Sequence, residues 1–120
     1  MSMANQFFRG YGVFDVITKT IKDGMTYASF TSELVCETYK NLNNVHIAFL
    51  VFERYVVRRD TRVSLSIMIT GFEGEITVDA SASGGGDHIL TRFDWGVSDD
   101  FLSALSGIAR SLNLTSDAFI

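Results

Sequence analysis

Two histidines, one cysteine and a run of three glycines are the places where this 120-residue sequence could do chemistry. A metal site needs three or four converging ligands. His46, His88 and Cys36 lie on separate segments, and no His/Cys/Asp group has the spacing of a zinc or iron motif, so neither a metal nor a cofactor is expected. No Ser-His-Asp order and no nucleophile elbow is present, so no catalytic residue is assigned. His88 beside Asp87 reads as a turn hydrogen bond. Cys36 has no cationic neighbour in sequence to activate it and alternates with Leu34, which predicts a buried structural thiol.

The glycines stand in "SASGGGDHILTRFDWG", and three roles compete for them. A phosphate cradle sets glycines between a strand and a helix N-terminus, where backbone N–H groups meet the anion. Here Gly84, Gly85 and Gly86 run instead into a strand-like segment, and no Gly-Lys-Ser/Thr follows. A second role is packing: the inward side chains before the glycines shrink from Ile76 and Val78 to Ala80 and Ala82. Interiors are packed to crystal density, so something bulky must cover them, and Phe93, Trp95 and Phe101 come next in the chain. If they leave the space unfilled, the third role is a cavity for a small apolar ligand beside Ala80, Ala82 and the glycines.

Charged residues offer one further candidate. Arg54, Arg58, Arg59 and Arg62 cluster in RYVVRRDTR, where arginine forks could meet an anion or an acidic partner. Glu53 and Arg54 interrupt an apolar strand, so one of them needs an ion-pair partner; Arg92 and Asp94 are the candidates. The chain as a whole is acidic, with net charge −4, which opposes approach to a phosphate backbone and argues against nucleic acid.

The elements that position these residues follow from periodicity. An opening strand covers residues 5–9. Val13, Phe14, Ile17 and Ile21 then recur at helical spacing, and Gly24 reads as a C-terminal cap. Residues 31–39 alternate as a strand, with Leu34 and Cys36 on one face and Glu33 and Glu37 on the other. NLNN turns the chain into residues 45–52, which are apolar on both faces. Val63, Leu65, Ile67 and Ile69 point inward in the next strand, and GFEG makes a hairpin loop. With Thr70 opposite Glu75, Ile69 meets Ile76, Ile67 meets Val78, Leu65 meets Ala80 and Val63 meets Ala82. Residues 89–95 read as a further strand. Ser98 then caps a helix that carries Phe101, Leu102, Leu105, Ile108, Ala109 and Leu112 on one stripe.

These elements predict a single α+β domain over residues 1–120, with residues 115–120 as a tail. The sheet is an antiparallel meander of about five to six strands, with an N-terminal and a C-terminal helix on one face. No apolar run reaches the roughly 18 residues a membrane span needs, and MSMANQFFRG shows no signal-peptide pattern. One cysteine fits a reducing compartment, here the cytoplasm. With both helices on one face, the other face of the central strand needs cover, and a two-fold homodimer is the commonest solution. The function classes left are a non-enzymatic, self-associating interaction module and a small apolar-ligand carrier of helix-grip type.

At VFERYVVRRDTRVSLSIMITG, SASGGGDH and RFDWGVSDDFL the chain resembles an uncharacterised bacterial family of small proteins, a domain of unknown function. In that family's pattern a VFE-aromatic strand leads to an Arg-containing, Ser-Leu-rich strand. A glycine triplet and an aromatic-Asp/Ser-Trp-Gly segment then precede the last helix. The resemblance spans residues 34–112 and implies no activity. Asp87-His88 departs from the pattern, so no role for His88 carries over.

Overall fold

The computed structural model of the protein describes residues 4–29, 31–56, 60–84 and 95–116, with residues 4, 56 and 95–100 described by backbone alone. The elements are β1 (Ala4–Tyr11), α1 (Phe14–Thr26), β2 (Ser32–Leu42), β3 (Val45–Val56), β4 (Thr61–Phe72), β5 (Glu75–Gly84), α2 (Trp95–Ser111) and β6 (Thr115–Ser116). The six strands form one antiparallel sheet in the order β2-β3-β4-β5-β1-β6. This is the expected α+β layering of a sheet under two helices. The meander is four strands long, and β1 returns to pair with β5. Thr115 and Ser116, the start of the expected tail, add to the edge of β1, and the Thr115 hydroxyl donates to the Arg9 carbonyl oxygen at 3.3 Å.

Strand alternation sorts the side chains. Ala48, Leu50 and Phe52 of β3, Val63, Leu65, Ile67 and Ile69 of β4, and Ile76, Val78, Ala80 and Ala82 of β5 are all buried on the helix side. Against them α1 presents Ile17, Ile21 and Met25, and α2 presents Phe101, Leu102, Leu105 and Ala109. Helix α1 lies over β2, β3 and β4, and α2 over β1, β4 and β5, so the two helices lie side by side on one face. The small side chains of β5 have a clear purpose in this arrangement. Ala80 and Ala82 share the buried cluster with Phe101, which is 1 % exposed.

Several expectations change on contact with the structure. Gly24 is not a cap: α1 continues to Thr26, and Gly24 sits where α1 passes α2. A Cβ at Gly24 would lie 2.5 Å from Ile108 Cδ1, so glycine is kept for close approach. Trp95 opens α2 instead of ending a strand, so Ser98, Asp99 and Asp100 lie within the helix and Ser98 does not cap it. The strand expected at residues 89–94 lies outside the described residues.

The β4–β5 register differs by two residues from the expected one. Glu73 and Gly74, with φ of 53° and 83°, close the hairpin as a two-residue turn between Phe72 and Glu75. Ile67 therefore meets Ala80, Leu65 meets Ala82 and Val63 meets Gly84. A shift of two leaves every side chain on its expected face, which is why the core was still read correctly.

The face of Cys36 was not. A bulge at Val35 breaks the alternation of β2, because Leu34 pairs with Phe52 while Cys36 pairs with Val51. Leu34 and Glu37 thus face the helices, and Cys36 is exposed on the other side with Glu33.

Two outcomes follow from this packing. Gly24→Ala should not stabilise the wild type, although alanine favours a helix by about 1 kcal/mol. In an Ile108→Ala background the same change should stabilise by up to that amount; equal effects in both backgrounds, read from denaturant midpoints, would disprove the contact. Cys36→Ala should shift stability by less than about 0.5 kcal/mol, as for an exposed side chain, and a larger loss would place the thiol in the core.

Candidate functional site

The sheet face opposite the two helices is covered by no described element and carries an exposed apolar surface. Side chains on this face form transverse rows, one per pair of ladder positions. The central row is Thr38, Phe49, Met68, Asp79 and Phe7, taken across β2, β3, β4, β5 and β1. Phe49 and Met68 stand 38 % and 40 % exposed at its middle, and Phe72 and Leu42 extend the apolar surface toward the hairpin end. Val45, Ile47 and Val51 complete the β3 side of this stripe. A trough of about 740 Å³ runs along the row, lined by Phe7, Phe49, Ser66, Met68 and Asp79.

Asp79 is the charged group among the residues that line the trough. Its strand neighbours are Met68 and Phe7, and no hydrogen bond or ion pair engages it among the described residues. Partial burial without a cation raises its carboxyl above the ordinary value of 3.8. The other charges of this face are largely matched. Arg9 lies 4.0 Å from Glu75 and over the Phe7 ring, and Arg62 lies 3.3 Å from Glu53 and over the Tyr55 ring. Lys40 on β2 has no such partner among the described residues.

The expected sites come apart in the structure. Ala80 and Ala82 lie in the core at 5 % and 0 % exposure, together with Phe101, while Gly84 ends β5 opposite Val63. Gly85, Gly86 and Phe93 lie outside the described residues, and Trp95 is described by backbone alone. Of the basic cluster, Arg54 pairs with buried Val63 on the helix side and Arg62 projects on the open face, so these two do not form one patch. Arg58 and Arg59 lie outside the described residues, as do Arg92 and Asp94; Glu53 takes Arg62 as its partner.

His46 sits at the hairpin end of the sheet, 5.4 Å from the Phe14 ring, and donates from Nδ1 to Asn41 Oδ1. Among the described residues no three His, Cys, Asp or Glu side chains converge as a metal site would require, and no helix is long and apolar enough to cross a membrane.

Periodicity had marked Asp79 as facing away from the core, but read residues 45–52 as apolar on both faces and gave Phe49 no side. It did not bring them together, because the expected hairpin register set Met68 opposite Thr77. The two-residue turn sets Met68 opposite Asp79, and that places the carboxylate in an apolar row. The signal available in sequence was the Glu73-Gly74 pair, which suits a tight primed turn.

On the helix side, Lys22 of α1 holds Glu37 of β2 in an ion pair, and Tyr39 donates its hydroxyl to the same carboxylate at 2.7 Å. The bond from Lys22, then that from Tyr39, holds the Glu37 carboxyl below its ordinary 4.5, and the bond to Glu37 raises Lys22 above 10.5. A lowered carboxyl pKa contributes stability that is present above the unfolded value and lost as pH falls through the folded one. The raised lysine contributes below its unfolded value and loses its share as pH rises through the folded one. Glu37→Gln should therefore cost a constant amount across neutral pH, and that cost should shrink as pH falls below 4.5 and vanish once it passes the lowered folded value. Midpoints of chemical denaturation at stepped pH read this directly; a cost that persists in acid would assign it to packing.

The comparisons give a family without an activity. No curated protein matches the chain. The family model described as "Family of unknown function (DUF6054)" matches residues 3–113, nearly the whole sheet and both helices, and the chain belongs to that family.

Proposed function

We propose that the protein is a non-enzymatic, self-associating interaction module whose helix-free sheet face is the association surface. The observation that carries this reading is the exposed Phe49–Met68 pair at the centre of a sheet face that no described element covers. Single exposed apolar residues are ordinary, but a contiguous apolar stripe rimmed by charge marks a contact surface. Five long strands spaced about 4.8 Å apart and about ten residues long offer roughly 800 Å² of face. That equals the share each partner contributes to a standard stable interface.

The carrier reading, a small apolar ligand beside Ala80 to Gly86, has less support, because Ala80 and Ala82 are already enclosed by core side chains. A reducing compartment, the cytoplasm, suits a protein whose lone cysteine is exposed. Sedimentation across a concentration series should show a dimer at micromolar protein, and Phe49→Asp should give a folded monomer. A wild type that stays monomeric at these concentrations would overturn the reading.

A further inference from the structure

Among the described residues the open face carries one unmatched cation, Lys40, and two unmatched anions, Asp79 near its centre and Glu33 at its rim, and the placement of Lys40 and Asp79 is informative. Lys40 lies on β2 and Asp79 on β5, three strands apart and one row offset: Lys40 shares its row with Ile47, Thr70 and Thr77, and Asp79 is two residues beyond Thr77. The midline between the two charges falls between β3 and β4, through the apolar centre formed by Ile47, Phe49 and Met68. A two-fold axis lying in the contact plane along that midline sets β3 over β4 of a second copy and β2 over its β5. Phe49 then meets Met68 of the partner subunit. Lys40 stands over Thr77 of the partner subunit, one row of about 7 Å from its carboxylate. The four-carbon stem of lysine spans that distance between sheets packed about 10 Å apart.

Resting on the self-association reading, we propose that the second copy docks face to face in this way, closed by reciprocal ion pairs between Lys40 and Asp79 of the partner subunit. Two such pairs flank the apolar centre, one on each side of the axis. A carboxylate set between Met68 and Phe7 would otherwise be covered with no counter-charge, at a cost that opposes association. Glu33, also without a partner among the described residues, falls at the rim of this arrangement, where solvent reaches it. The matched pairs Arg9–Glu75 and Arg62–Glu53 stay within one protomer.

The test is a charge swap read by analytical ultracentrifugation, with thermal melts confirming that each variant folds. Lys40→Glu and Asp79→Lys should each weaken dimerisation at least tenfold, because like charges then meet twice across the axis. The double variant, Lys40→Glu with Asp79→Lys, should recover the wild-type equilibrium to within a few-fold. A dimer indifferent to the single changes, or a double variant as dissociated as the singles, overturns the pairing but leaves self-association standing. A monomeric wild type, including one that takes up an apolar amine in its trough, overturns both.

Discussion

The pairing of β3 with β4 is the constraint on which the rest of the molecule depends. Twelve consecutive positions match without a bulge, from Val45 with Phe72 to Val56 with Thr61. Because strand side chains alternate faces, this single register decides the surface of everything near it. It puts Leu50 against Ile67 and Phe52 against Leu65 beneath the helices, and Phe49 against Met68 on the opposite side. A slip of one residue would exchange core and surface together. The apolar open face is thus the other side of the same ladder that builds the core.

Two helices on one face require room, and the chain provides it by subtraction. The side chains of β5 diminish to Ala80 and Ala82 under α2, and Gly24 removes the side chain where α1 meets Ile108. Phe14 and Ile17 anchor the start of α1 without any side-chain cap, since Val13 holds the N-cap position. Packing against the sheet therefore stabilises α1 more than its termini do, as is usual for amphipathic helices in proteins. The Lys22–Glu37 pair ties α1 to β2 at the side of the sheet.

Polar matching separates the two faces further. On the helix side, Lys22 and Glu37 pair with each other inside the chain. On the open side Arg9 and Arg62 are used locally, while Lys40 and Asp79 have no partner among the described residues. An apolar stripe with an unmatched lysine on one flank and an unmatched aspartate on the other is a surface with a defined orientation, which a featureless hydrophobic patch is not. Charge pairs of this kind set register and partner choice more than raw affinity.

The sequence by itself determined the layering. Helical spacing from Phe14 to Ile21 and from Phe101 to Leu112, and the clean alternation of Val63 to Ile69 and Ile76 to Ala82, marked which side chains face the core; Val13, counted in the same spacing, instead sits exposed at the N-cap of α1. Those patterns are local and survive a register error of two residues. What only the tertiary structure decided depends on where chains meet. A bulge at Val35 turned Cys36 outward, a two-residue turn brought Asp79 beside Met68, and the approach of α2 made Gly24 a contact instead of a cap. Arg54 and Arg62, neighbours in a basic run, went to opposite faces for the same reason. Period and composition report which face a residue takes; which residues become neighbours is set by bulges, turn lengths and helix approach, and these arise only when the strands pair.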